Sequence, residues 1–290
     1  MKRVLIAVVV AVLASACGRV EKAPVHVVMI GIDGWSAAEF READMPFVKS
    51  LMEEGAWTLD KRCVIPTASA INWMTLFSGV QPEYHGYTQW NSTAPDFTQA
   101  AGIKTIFRLE REQHPSSDIL VTYQWDVIRS LVDSSAVTTI LPFDQTEAGD
   151  FEEVDYAADY FLQKSPRLSL IYFGTLDETG HEYGWKSDQY RAYLTHIDSV
   201  VKGVAEAASS MGDVVFVLTT DHGGLGKSHT GCYVDDVMQT PLFIWGKGIK
   251  KNHKIEGPAI QMDVTATMAR ILGIETPSFW TGRVLEDIFE

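Results

Sequence analysis

The sequence is short of cysteine and of positive charge, and each shortage narrows what the chain does. It has 3 cysteines in 290 residues. One of them, Cys17, ends an apolar leader, which leaves Cys63 and Cys232 as the pair open to a disulfide in an oxidising compartment. Lys and Arg number 24 against 38 Asp and Glu, a formal net charge of −14. A chain this acidic offers no basic surface to DNA or RNA, which argues against bulk nucleic-acid binding. An anionic substrate held through a metal remains compatible, because carboxylates clustered around cations add to such a charge. The opening apolar run falls short of the ~20 residues of a membrane span. Past residue 24 there is no internal repeat, low-complexity segment or linker.

What is present reads as one globular unit. The 46% hydrophobic and 21% charged content is ordinary for such a domain, and 290 residues suffice for a single large core. Residues 1–17 combine a basic start, a short apolar core and small residues before Cys17, the pattern of a secretory signal. Leu13-Ala14-Ser15-Ala16-Cys17 is similar to a bacterial lipoprotein box, in which Cys17 is lipidated; ordinary cleavage after Ala16 is the competing reading. The expected organisation is a leader over 1–17, a tether over 18–24 and one compact domain over 25–290. The expected address is a bacterial membrane, facing the periplasm or exterior.

Three continuous apolar runs suit parallel strands covered on both faces. The first, from Val25, ends at Asp33. The second, from Leu168, runs into Asp177, with His181 four residues on. The third, from Val214, ends at Asp221-His222, and His229 lies in the glycine-rich loop beyond. Any one ending has an ordinary explanation, such as the turn-forming Asp before Gly34. Three together point to the strand-end edge where open α/β sheets bind ligands. Helical patterns over 45–55, 106–112, 125–132, 151–163, 189–209 and 264–272 alternate with further strands at 118–123 and 241–245, while 56–64 reads as a connection. The predicted fold is α/β, a doubly wound, mostly parallel sheet sandwiched by helices with little cap.

The chain is organised around Val64 to Gly79. Thr67 and Ser69 follow a proline and precede an apolar helical run closed by glycine. Taken alone, the stretch reads better as a capped core helix than as a catalytic one. A hydroxyl at a helix N-terminus also faces free amides and the positive end of the macrodipole, where an alkoxide or phosphate is favoured. Asp33, Asp177, His181, Asp221, His222 and His229 supply three carboxylates and three imidazoles. This mixed set suits zinc, or manganese or iron, better than magnesium or calcium. Six ligands divide over two ions with room for substrate, and Ser69 is able to complete one set. Two metals roughly 4 Å apart stabilise both oxygens of an in-line displacement.

With these pieces in hand, the chain resembles the alkaline phosphatase superfamily, most closely its nucleotide pyrophosphatase/type I phosphodiesterase branch. The matching segments are Gly31 to Gly34, Pro66 to Asn72, Ser78-Gly79 with Pro82 to Gly86, Asp177 to His181, Thr220 to Gly223 and Lys227 to His229. The resemblance implies that Asp177, His181 and His229 hold one zinc and Asp33, Asp221 and His222 the other. It implies Ser69 as the nucleophile, forming a covalent phosphoryl-enzyme that water hydrolyses, and Asn72, three residues later, as a donor to a phosphoryl oxygen. Tyr87, Trp90 and Lys227 are candidate contacts to a small phosphoester or nucleotide-like substrate; His85 and His196 read as structural. The branch commonly has Thr followed by Phe-Pro-Asn where this chain has Ser69-Ala70-Ile71-Asn72. The arginine-bearing sulfatase pattern is absent, and no arginine follows Ser69 closely as in alkaline phosphatases. The expected function is hydrolysis of phosphodiester or pyrophosphate bonds. The alternatives are a phosphomonoesterase, a phosphonate or sulfate ester hydrolase, or a non-catalytic metal-binding lipoprotein.

Overall fold

The computed structural model describes residues 25–88 and 102–290. Its centre is an eight-stranded sheet. In chain order the strands are β1 (His26–Ile32), β2 (Gly55–Arg62), β3 (Ile119–Tyr123), β4 (Thr139–Pro142), β5 (Leu168–Phe173), β6 (Val214–Thr219), β7 (Gln239–Gly246) and β8 (His253–Lys254). Across the sheet they run β4-β3-β5-β1-β6-β7-β2-β8. β7 pairs antiparallel with both β6 and β2, and every other pairing is parallel. The α/β, mostly parallel sheet read from the sequence is the observed fold.

β1, β5 and β6 are buried along their whole length. Burial on both faces is what a continuous apolar run demands, and helices on each side supply it. Residues of β1 alternate between two cores: Val27 and Met29 pack with Trp73 and Phe77 on one face, and Val28, Ile30 and Ile32 pack with Leu194 and Ile197 on the other. Because β5 and β6 flank β1 in parallel register, the carboxyl ends of all three emerge side by side. Asp33, the Thr175–Tyr183 helix and Thr220-Asp221-His222 are thereby delivered to one edge.

β2 departs from the sequence reading. Ala56 to Arg62, expected as a connection, is a strand, although it contains Asp60, Lys61 and Arg62. A polar strand is tolerated here because β2 lies toward the sheet margin, between β7 and the two-residue β8. Lys61 nevertheless points inward and is fully buried.

Candidate active site

The Ser69–Ser78 helix begins at Ser69 itself, not one residue after it. Its N-cap is Ala68, in extended conformation and with no side-chain cap. Capping is therefore not what Ser69 does. Its hydroxyl instead stands 3.0 Å from His222 Nε2 across the cleft. The first intrahelical bonds run from the Ile71 and Asn72 amides to the Ala68 carbonyl. The Ser69 and Ala70 amides precede them and belong to the set of helix-start donors left for a ligand.

The remaining polar residues close around this hydroxyl. Asp33 Oδ2 accepts from Trp73 Nε1 at 2.8 Å and from the Tyr172 hydroxyl, which turns Oδ1 into the cleft. Gly31 makes that approach possible, since a Cβ there would lie 2.7 Å from the Trp73 ring. Asp221 Oδ1 accepts from the Gly34 amide at 3.1 Å, which leaves Oδ2 facing His222 Nε2 at 3.0 Å. Asp177 Oδ2 is 3.3 Å from His181 Nε2. Asp33 Oδ1, Asp177 Oδ1 and Asp221 Oδ2 are buried atoms with no hydrogen-bond partner. Three orphaned carboxylate oxygens in one cleft are costly unless a cation compensates them.

The imidazoles tell the same story. His181 Nδ1 donates to the Lys227 carbonyl at 3.0 Å, His222 Nδ1 to the Gly223 carbonyl at 2.9 Å, and His229 Nδ1 to the Thr67 carbonyl at 2.6 Å. A carbonyl only accepts, so each ring carries its proton on Nδ1 and presents Nε2 to the cleft. That is how proteins prepare a histidine for a metal. Asp177, His181 and His229 offer atoms within 4.8 Å of one another, and so do Asp33, Asp177 and His222. Asp177 thus sits between the two groups, and Asp221 reaches the second through His222. The residues fit a divalent-cation centre with mixed oxygen and nitrogen donors.

Electrostatics of the metal-free cleft follow from this crowding. Burial, then the Asp221 and Asp177 carboxylates, push Asp33 well above the usual carboxylate range. Burial works to lower His222, but Asp221 in front of it prevails and raises it to about 10. Burial and the adjacent His222 charge lower His229 to about 4; the two rings stack at 3.7 Å. Without metal His222 therefore takes a second proton, on Nε2, facing Asp221 Oδ2 at 3.0 Å, a proton that a bound cation would displace, while His229 stays neutral.

Several expected residues lie elsewhere. Asn72 is a correction to the role of phosphoryl donor. It is fully buried; its Nδ2 donates to the carbonyls of Val64, Pro66 and Ala68, and its Oδ1 accepts from the Val64 amide at 2.8 Å. It ties down the turn that presents Ser69. Tyr87 is 2% exposed and packs in the apolar core, and it borders a groove lined by Pro66, Ala68, Ile71 and Thr230 beside the cleft. Trp90 lies outside the described residues. Lys227 spends its ammonium on the Glu182 carbonyl at 2.6 Å, and its own carbonyl holds His181. His85 is buried against Thr75 Oγ1 at 3.1 Å and the Tyr87 amide at 3.0 Å, a structural role. His196 binds Asp150 at 2.8 Å, remote in role from the cleft. Cys63 and Cys232 are free thiols. Cys17 lies outside the described residues.

Sequence reasoning missed the supports. Trp73 and Tyr172 hold Asp33, and Trp185 and Tyr190 donate to the Gly34 carbonyl at 2.8 and 2.7 Å. Trp73 and Tyr172 sit in apolar stretches and read as core, while Trp185 and Tyr190 stand among polar residues with no local pattern to mark them. Thr67, taken only as a pre-helix residue, brackets His229 by donating its hydroxyl to the His229 carbonyl while its own carbonyl accepts from the ring. The cleft itself, about 290 Å³, is lined by Ser69, Asp33, Asp177, His181 and His229 together with Trp125, Gln145 and Glu178.

The family model described as type I phosphodiesterase / nucleotide pyrophosphatase matches residues 27–269. Curated relatives include GPI ethanolamine phosphate transferase 1 of Neurospora crassa, 24% identical over 82% of this chain and 28% of that protein. Ectonucleotide pyrophosphatase/phosphodiesterase family member 7 of Mus musculus is 25% identical over 76% of this chain and 55% of its own length. The chain thus spans between about a quarter and about half of these relatives. Among solved structures, murine ectonucleotide pyrophosphatase/phosphodiesterase 5, described as inactive and in complex with AMP, superposes with a TM-score of 0.72 at 15% identity, covering 92% of this chain and 100% of that one. A 2-O GAG sulfatase does so with a TM-score of 0.72 at 14% identity, covering 91% and 74%. These likenesses carry the alkaline phosphatase-like fold. The chain belongs to the type I phosphodiesterase / nucleotide pyrophosphatase family.

Proposed function

We propose that this member of a metal-dependent phosphoester-processing family is a hydrolase of phosphodiester or pyrophosphate bonds, with Ser69 as nucleophile and two zinc ions as cofactor. The observation that carries the reading is the Ser69 hydroxyl at a helix start, 3.0 Å from His222, in a cleft where three buried carboxylate oxygens lack partners. Asp177, His181 and His229 would hold one ion and Asp33, Asp221 and His222 the other. When bound, the ions supply Lewis acidity that lowers the pKa of the Ser69 hydroxyl and offsets phosphoryl charge.

The chain's own groups do the rest. The Ser69 hydroxyl gives its proton to solvent and Oγ attacks phosphorus; an Oγ–P bond forms, the bond to one ester oxygen breaks, and that alcohol leaves with a proton from water, so the phosphorus stays on Ser69 with its second substituent still attached. The Ser69 and Ala70 amides, at the positive end of the helix dipole, donate to a phosphoryl oxygen in place of Asn72. Water then attacks the same phosphorus; the new O–P bond replaces Oγ–P, Ser69 regains its proton, and a phosphomonoester is released. Trp125, Gln145 and Glu178, which line the same cleft, would contact the rest of a small substrate. No Lys or Arg is among the lining residues, so phosphoryl charge is left to the ions and the amides. Export and a lipid anchor at Cys17 belong to the same proposal and rest on the leader-like residues 1–17.

The test is turnover of bis-p-nitrophenyl phosphate, p-nitrophenyl phosphate and p-nitrophenyl sulfate by the zinc-loaded protein. The diester should be preferred, and Ser69→Ala should abolish turnover while both ions stay bound. A Ser69→Ala protein with full activity would sink the mechanism, and preference for the monoester or sulfate would reassign the substrate. The similarity to an ethanolamine phosphate transferase supports a second reading, in which the hydroxyl of an alcohol, and not water, takes the substituted phosphoryl group from Ser69. Adding a polyol such as glycerol as acceptor to the same assay separates the two by product: a new diester for transfer, a monoester for hydrolysis.

A further inference from the structure

Behind the cleft lies a polar knot that the chemistry above does not use. Lys61 from β2, Asn72 from the Ser69–Ser78 helix and Gln261, first residue of the Gln261–Leu272 helix, are all fully buried. The Lys61 ammonium donates to the Thr220 carbonyl at 3.0 Å and to Gln261 Oε1. Gln261 Nε2 donates to the Asp221 carbonyl at 2.6 Å and reaches Asn72 Oδ1 at 3.4 Å. Asn72 in turn holds the Val64, Pro66 and Ala68 carbonyls of the turn before Ser69.

We propose that Gln261, steadied by Lys61, is a positioning residue that fixes the distance between the Ser69 turn and the Asp221-His222 turn. The proposal rests on the reading of Ser69 and the Asp33, Asp221, His222 set given above. A terminal helix has no need of a buried amide for packing, and a buried ammonium is costly. Together they span two loops separated by about 150 residues that the sheet alone connects only through β7. Both arms end on backbone carbonyls, so the knot acts on where the turns stand and not on the chemistry of their side chains. An amide that donates to Asp221's carbonyl from one side, and is met by Asn72 from the other, makes the two turns move as one body. Preorganisation of this kind typically affects metal affinity or activity by about 10- to 100-fold.

The experiment uses Gln261→Glu and Lys61→Met in the full chain. Gln261→Glu keeps an acceptor for Lys61 and removes the donor to Asp221 and Asn72. Zinc titration by calorimetry, hydrogen exchange of metal-free protein over residues 63–72 and 219–224, and steady-state turnover of bis-p-nitrophenyl phosphate are measured beside wild type. In Gln261→Glu one zinc should weaken about 10- to 100-fold while the other, at Asp177, His181 and His229, holds within about threefold. Exchange should rise in both turns together, and kcat should fall about tenfold or more with KM within about threefold. Lys61→Met should reproduce the pattern through Gln261; if Gln261→Glu fails to fold, the same readouts on Lys61→Met decide. Wild-type zinc affinities and protection in the folded variants would overturn the proposal. Wild-type protein inactive on every ester would refute the functional reading instead, and the titration and exchange would still judge the knot.

Discussion

Replacing Asp33 with asparagine should move the melting temperature in opposite directions with and without metal. In the metal-free cleft Asp33 Oδ1 is buried, unpartnered and crowded by Asp177 and Asp221. Its Oδ2 is held by Trp73 and Tyr172, so the asparagine carbonyl takes that place and its NH2 replaces Oδ1. A donor then meets the orphaned oxygens of Asp177 and Asp221. Removing an unsatisfied buried group is worth about 1–3 kcal/mol. At about 2–4 °C per kcal/mol for a domain near this size, metal-free Asp33→Asn should melt on the order of 2–12 °C above wild type. With zinc at about 1,000 times its Kd, a bound ion adds about 4 kcal/mol, and the variant forfeits up to that amount. Scanning calorimetry in chelator and in zinc reads both arms. The sign with pH follows as well. A carboxyl raised in the folded state holds more protons folded than unfolded, so wild-type metal-free stability declines as pH rises above the ordinary carboxylate value, and the gap to the variant widens. If Asp33→Asn melts below wild type in chelator too, Asp33 is a structural acceptor and the reasoning fails.

The other predictions concern single supports. His85 is lowered by burial from 6.5 to about 4, so its contribution is intact above pH 6.5 and is lost as pH falls toward 4, about 3 kcal/mol in all; His85→Gln should flatten that limb of a denaturation-versus-pH series, and parallel curves would count against it. In Gly34→Ala a Cβ at φ +68° would lie 2.5 Å from Asp177 Oδ1, so zinc stoichiometry should fall below two and stability by about 1–2 kcal/mol; full occupancy by elemental analysis would refute this. Thr67→Val keeps shape and removes the donor to the His229 carbonyl, so zinc binding should weaken about tenfold by competition with a chelating dye, and an unchanged affinity would assign Thr67 to packing alone.

Local pattern carried further for some residues than for others. The three strand endings that carry Asp and His were legible because an apolar run with no alternation has to be covered on both faces, which places it in the middle of a parallel sheet. Asp177 and His181 were legible as a pair because four residues make one helical turn, and the Thr175–Tyr183 helix supplies it. Lys61 hid the strand that carries it, since a buried charge breaks the apolar pattern by which strands are read. Asn72 was misread for the opposite reason: a spacing of three does place it beside Ser69 on the helix, but on the side turned back toward Val64 and Pro66.

By itself, then, the sequence determined the type of sheet, the edge at which its site is built and the donors that reach that edge, because these follow from periodicity and from chain order. The tertiary structure decided which oxygens are left without partners, which ring nitrogen each histidine presents, and which residues hold the two turns in place. Most of those depend on hydrogen bonds between residues far apart in the chain, from 40 positions for Trp73 to Asp33, through 139 for Tyr172 to Asp33, to 200 for Lys61 to Gln261. No local pattern encodes such bonds, since a buried tryptophan, tyrosine or glutamine looks the same in the chain whether its polar atom supports a site or only its own helix.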